Sequence, residues 1–190
     1  MRFFALSDIH VDYPENMQWV KDIDSQEYVK DILILAGDVS DDLELLNTVF
    51  ETLLEKFREV LFVPGNHELW LRDEDVDCSL EKFEVILSLC NARGIKTAVT
   101  HYEHVSVVPL YSWYDYSFGE PDRHLLRGWR DFRSCRWPSA LNDMTAVSNY
   151  FLGLNRERLD TVNDVVISFS HFLPRIDVMP DQIPSKRRIV

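Results

Sequence analysis

Unbroken apolar runs alternate along this chain with segments whose apolar residues recur three and four positions apart. These are the signatures of buried strands and of helices with one apolar face. "RFFAL" (Arg2 to Leu6) is the first such run, stopped by Ser-Asp. "DILILAGD" (Asp31 to Asp38) and "EVLFVPG" (Glu59 to Gly65) follow as second and third buried strands. A continuous apolar run suits a strand covered on both faces. Between them, "ENMQWVKDI" (Glu15 to Ile23) reads as a helix starting just past Pro14. Ser40 is the expected N-cap of a second helix, with Asp41 and Asp42 in the first turn, where the helix dipole favours negative charge. Its apolar face is Leu43, Leu46, Phe50, Leu53, Leu54 and Phe57. A third helix carries Leu80, Phe83, Leu87 and Cys90 on one side and stops at Gly94. "IKTAV", "VSVVPLY" and the buried-type run "DVVISFSHF" (Asp164 to Phe172) are the later expected strands. This alternation of strand and helix predicts an α/β fold.

Composition narrows the setting. A length of 190 residues predicts one domain, 1–190, with a sizeable core. The net charge of −12 argues against DNA, RNA and anionic membranes as partners, so a phosphate-bearing partner needs a local positive site. Cys78, Cys90 and Cys135 form no C-x-x-C pair, which disfavours a disulfide framework or zinc knuckle and fits reduced thiols. No apolar stretch is long enough to span a bilayer, and the first apolar run is too short for a signal peptide. A soluble cytoplasmic protein is expected.

The hydrophilic punctuation falls in one recurring place. The strand-like runs end in Asp8 and His10, then Asp38, then Asn66 and His67, then His171. In open α/β sheets, ligands gather beyond the carboxyl ends of the strands. Taken singly, Asp38 reads as a helix cap, Asn66 as a turn residue and His171 as a hydrogen-bonded core histidine. As a set at four strand ends, their imidazole, carboxylate and amide donors suit Mn, Fe or Zn.

"DIH" (Asp8 to His10), "GD" (Gly37 and Asp38), "GNHE" (Gly65 to Glu68) and "SH" (Ser170 and His171), in this order, resemble the signature of calcineurin-like metallophosphoesterases. The resemblance is firm from Met1 to Leu71 and around His171. It implies a two-sheet β-sandwich flanked by helices. It also implies a dinuclear centre, with Asp8, His10 and Asp38 on the first metal and Asp38, Asn66 and His171 on the second. His67 would stand beside the metals and serve the leaving oxygen. The implied reaction is hydrolysis of a phosphomonoester or phosphodiester by a metal-bridging hydroxide.

The family's Gly-His-x-His block has no counterpart after His171. Two metal-shell histidines and the last strands of one sheet are therefore expected to be missing, and a non-catalytic scaffold with an incomplete metal site is the alternative reading. The segment 112–159 is a variable insert rich in Trp, Tyr and Arg. Arg123, Arg127 and Arg130 recur there at helical spacing, and Arg forks suit phosphate oxygens. Arg127 and Arg130 are the expected substrate contacts, the alternative being a solvated basic face balanced by Asp122 and Asp131. Trp113, Tyr114, Trp129 and Trp137 would either stack on a substrate ring or form a small core.

Overall fold

The computed structural model describes residues 1–72, 76–160, 162 and 165–179. Strands β1 (Phe3–Leu6), β2 (Ile32–Leu35) and β3 (Glu59–Phe62) form a parallel sheet in that order, Phe3 opposite Ile32 and Ile32 opposite Glu59. Strands β4 (Thr100–Tyr102), β5 (Val105–Pro109) and β6 (Val165–Phe169) form a second sheet, with β5 antiparallel to β4 and parallel to β6.

The period-2 geometry of β2 explains why its run is apolar throughout. Ile32 and Ile34 join Leu61, Tyr102 and Val107 in the layer between the sheets. Leu33 and Leu35 face the other way, into the cluster with the helices. Those helices are α1 (Pro14–Asp22), α2 (Leu43–Leu54) and α3 (Ser79–Arg93), which contribute Val20, Leu46, Val49, Phe50, Leu53, Phe83, Ile86 and Cys90. Each fully buried large apolar side chain here contributes roughly 1.5–3 kcal/mol over its exposed state. Gly94 ends α3 at φ 79°, in the left-handed region open to glycine.

Several expectations are corrected. The N-cap of α2 is Asp42, whose carboxylate accepts from the Glu44 and Leu45 N–H groups. The Ser40 hydroxyl donates instead to Asp12 Oδ1 (2.7 Å) and accepts from the Asp42 N–H (3.0 Å), holding the loop that precedes the helix. In "IKTAV", Lys96 makes an isolated bridge to Leu61, and the strand begins only at Thr100. β1 is half-buried because it lies at the edge of its sheet. β6 also lies at an edge, pairing with β5 among the described residues, so Val165 and Val166 are 51% and 42% exposed. Asp164, expected at the start of that strand, lies outside the described residues.

Within 112–159 are the short helices α4 (Arg123–Gly128) and α5 (Asp131–Ser134), then α6 (Met144–Leu154). The backbone turns extended at Trp129 (φ −71°, ψ 118°), so Arg130 does not continue the face that carries Arg123 and Arg127. Trp113 and Tyr114 are buried, and Trp113 packs on Trp137, Phe151 and Phe172. Trp113 and Tyr114 thus belong to the core, while Trp129 and Trp137 are half-buried.

Candidate metal centre

The loops leaving β1 and β2 run side by side. Asp8 N–H donates to the Gly37 carbonyl (3.0 Å), His10 N–H to that of Asp38 (3.1 Å) and Val11 N–H to that of Val39 (2.9 Å). Asp8, His10 and Asp38 all take positive φ (55°, 41° and 54°), a region that side-chain-bearing residues rarely occupy. Glu68, with no exposed surface, knots the loops together. Its carboxylate accepts from the backbone N–H groups of Asp38 (2.9 Å), Val39 (2.5 Å), Ser40 (3.1 Å) and Gly65 (2.6 Å). The two loop glycines leave the room required. A Cβ on Gly65 would stand 2.2 Å from Asp38 Oδ1, and one on Gly37 would stand 2.5 Å from the Gly65 nitrogen.

Asp38 is the centre of the constellation. Its Oδ2 lies 3.6 Å from His67 Nε2, and its Oδ1 lies 3.5 Å from His171 Nε2. Donor atoms of His10, Asp38 and His67 fall within 4.8 Å of one another, and so do those of Asp8, Asp38 and His171. Ala36 O can only accept, so the His171 Nδ1 bonded to it (2.9 Å) carries a proton. In the neutral ring, Nε2 then presents a lone pair to Asn66 Oδ1 (3.2 Å) and Asp38 Oδ1. Carboxylate oxygens and imidazole nitrogens gathered within 4.8 Å of one another fit a divalent cation, and the N/O donor set suits Mn, Fe or Zn.

Electrostatics point the same way. Burial pushes the Asp38 carboxyl up to about 7, with the charges of Glu68 and Asp8 adding to the rise and His171 opposing it. A cation beside that carboxylate would relieve the cost of its charge. Burial, then the neighbouring His10, push the His67 imidazole down to about 4, so it is neutral at pH 7. The His67 ring lies 4.5 Å from that of His10 and 3.5 Å from that of Trp70, over which the Arg130 guanidinium sits at 4.3 Å.

All six residues expected at the centre are thus brought together: Asp8, His10, Asp38, Asn66, His67 and His171. Arg130 reaches its rim through Trp70. Arg127 is exposed in the last turn of α4, on a different element. Three residues join the centre that the sequence does not assign to it: Glu68, Trp70 and Asp131, the last read there only as an acid balancing the Arg cluster. Glu68 lies inside "GNHE" and offered a signal, because a buried turn of backbone N–H groups needs an acceptor. Asp131 gave none, since it was one acid among many.

A family model described as calcineurin-like phosphoesterase matches residues 1–172. The acyl-carrier-protein phosphodiesterase PptH of Mycobacterium tuberculosis (strain ATCC 25618 / H37Rv) is 29% identical over 128 residues, 60% of this chain and 38% of the relative's own length. The crystal structure of phosphopantetheinyl hydrolase (PptH) from Mycobacterium tuberculosis superimposes with a TM-score of 0.77 over 99% of this chain and 74% of that one. At 22% identity, that likeness shows the fold.

Proposed function

Because the chain belongs to the calcineurin-like phosphoesterase family, we propose that it hydrolyses a phosphomonoester or phosphodiester at the centre around Asp38. The observation that carries this reading is the gathering of metal-ligating atoms around Asp38, those of His10 and His67 on one side and of Asp8 and His171 on the other, each set within 4.8 Å. In this reading, Asp8, His10 and Asp38 hold one divalent metal, while Asp38, Asn66 and His171 hold the other. Bound there, the metals supply positive charge that polarises the phosphoryl group and acidifies water. Manganese is the first ion to test.

The chain's own residues do the rest. Asp38, reaching both clusters, fixes their separation. The Ala36 carbonyl holds the His171 ring so that Nε2 faces inward. His67, neutral at pH 7, offers an N–H to the leaving oxygen, and Trp70 packs against its ring. Arg130 supplies the local positive charge that a phosphate ester needs on a chain of net charge −12. The segment 112–159 works as part of the same domain, supported by the Asp131–Asn66 hydrogen bond across it. A carrier-protein phosphodiester is the first natural substrate to assay, as the name of the relative suggests. The cytoplasm is the setting this reading assumes, and no helix among the described residues is long and apolar enough to cross a membrane.

The test compares the parent chain with His67→Ala and His10→Ala, measuring bound Mn²⁺ and turnover of aryl phosphate mono- and diesters. His67→Ala should keep its metal and lose about 10²–10³-fold in kcat, the cost of removing one hydrogen-bond donor from a developing negative charge. His10→Ala should lose metal. If His67→Ala loses metal as severely as His10→Ala, His67 is a ligand and its assigned role is wrong.

A further inference from the structure

Asp131, the first residue of α5, is 3% exposed and takes hydrogen bonds from four side chains. Oδ1 accepts from Asn66 Nδ2 (2.9 Å) and the Trp70 indole (2.6 Å). Oδ2 accepts from the Tyr114 hydroxyl (3.0 Å) and the Trp129 indole (2.8 Å). The two ends of a carboxamide have nearly the same size and shape, so packing alone does not choose which end of Asn66 faces the metal centre. The choice falls to its hydrogen-bond partner. A carboxylate accepts and cannot donate, so the Asn66 NH₂ must turn toward Asp131. The oxygen is left 3.2 Å from His171 Nε2.

We infer that Asp131 is a positioning residue of the metal centre, which makes Asn66 a ligand by fixing its amide oxygen inward. This rests on the metal-binding reading of Asn66 above. A hydroxyl or amide at position 131 would donate as readily as accept, and would tolerate the reversed amide with its hydrogens aimed at the cations. Asp131 sets a second element as well, because Trp70, bonded to the same oxygen as Asn66, lies against the His67 ring. The acid comes from the insert, so the insert completes a site otherwise built from strand ends.

The experiment is a double-substitution cycle read by Mn²⁺ titration of the full 190-residue chain, with circular dichroism and metal-free melting as folding controls. Asp131→Ala should weaken Mn²⁺ binding about 10–100-fold, the usual cost of losing a group that orients a ligand. Asn66→Asp in the parent should also weaken it, since two carboxylates would abut. In the Asp131→Ala background, the same Asn66→Asp change should strengthen binding, because a carboxylate presents oxygen whichever way it turns. Loss of the carboxylate pair alone would also reverse the sign, so the deciding variant is Asp131→Asn, which keeps the size of the side chain but can meet Asn66 with either end. It should weaken Mn²⁺ binding with the fold intact, and parent-like affinity would overturn the inference. Additive losses, or unchanged affinity in folded Asp131→Ala, would overturn the inference.

Should Asp131→Ala not fold, or should the parent bind no Mn²⁺ (which would refute the metal-binding reading), NMR of the unmodified chain decides. The Asn66 side-chain NH₂ must exchange slowly and show cross-relaxation to the Trp70 indole N–H. A fast-exchanging NH₂ without that contact would refute the positioning role.

Discussion

Glu68 and Asp38 are both buried acids, with opposite surroundings. Four backbone N–H groups point at Glu68, so its charge is solvated by the loops it ties. Replacing it by alanine leaves four buried donors without an acceptor, each costing about 1–3 kcal/mol. The sum rivals the whole stability of a domain, roughly 5–15 kcal/mol. Glu68→Ala is therefore expected to unfold at a much lower urea concentration than the parent, or to be unfolded without urea; an unchanged midpoint would contradict this account. Asp38 receives one backbone N–H, from His67 (3.0 Å), and otherwise faces the imidazoles of His10, His67 and His171 and the charges of Glu68 and Asp8. Asp38→Asn removes the charge common to both clusters. Elemental analysis after Mn²⁺ loading should show both equivalents reduced, and loss of one alone would rule out the bridging role.

At the scale of elements, the strand ends carry the chemistry and the strand beginnings carry the ties. Arg2, just before β1, donates to Asp31, just before β2, through its backbone N–H (2.7 Å) and guanidinium (2.9 and 2.6 Å). Asp31 is 4% exposed, and the Arg2 hydrogen bond is the main cause holding its carboxyl below the usual range. A depressed carboxyl pKa stabilises the folded state above the unfolded value of about 3.9, and that contribution is lost as pH falls through the lower folded value. Asp31→Asn should thus be less stable than the parent at neutral pH, with the difference shrinking in acid. Urea midpoints at neutral pH and in acid check this; a gap that stays constant would assign the effect to packing.

At the scale of the molecule, the centre is assembled from both sheets. β1, β2 and β3 deliver Asp8, His10, Asp38, Asn66 and His67 from one layer, while β6 of the other layer delivers His171. A cation held across that seam binds the folded chain and not the unfolded one. Mn²⁺ at a hundred times its Kd should add about 2.7 kcal/mol. For a chain of this size that is a rise in melting temperature of several degrees. EDTA should reverse the rise and Asp38→Asn should abolish it. A melting temperature indifferent to Mn²⁺ would count against a metal site linking the sheets.

The sequence by itself determined the local features: the strand and helix alternation, the apolar faces, and the Asp, Asn and His residues at the ends of apolar runs that the fold brings together. These were legible because each depends on residues within a turn or two of one another, and because Asp, Asn and His are conspicuous after "RFFAL", "DILILAG" and "EVLFVPG". The tertiary structure alone decided the rest. "VVISF" (Val165 to Phe169) has a buried strand's composition but lies at a sheet edge among the described residues, because exposure depends on which strands pair beside it. The α2 cap moved from Ser40 to Asp42 because Ser40 is engaged by Asp12, 28 residues away. Arg127 and Arg130 were separated by a helix end that their spacing did not reveal. Asp131 was one of 32 acidic residues, and only folding brought it to Asn66, 65 positions earlier in the chain. A hydrogen bond between residues so far apart leaves no periodic trace along the chain, since its partners are chosen by the packing of whole elements.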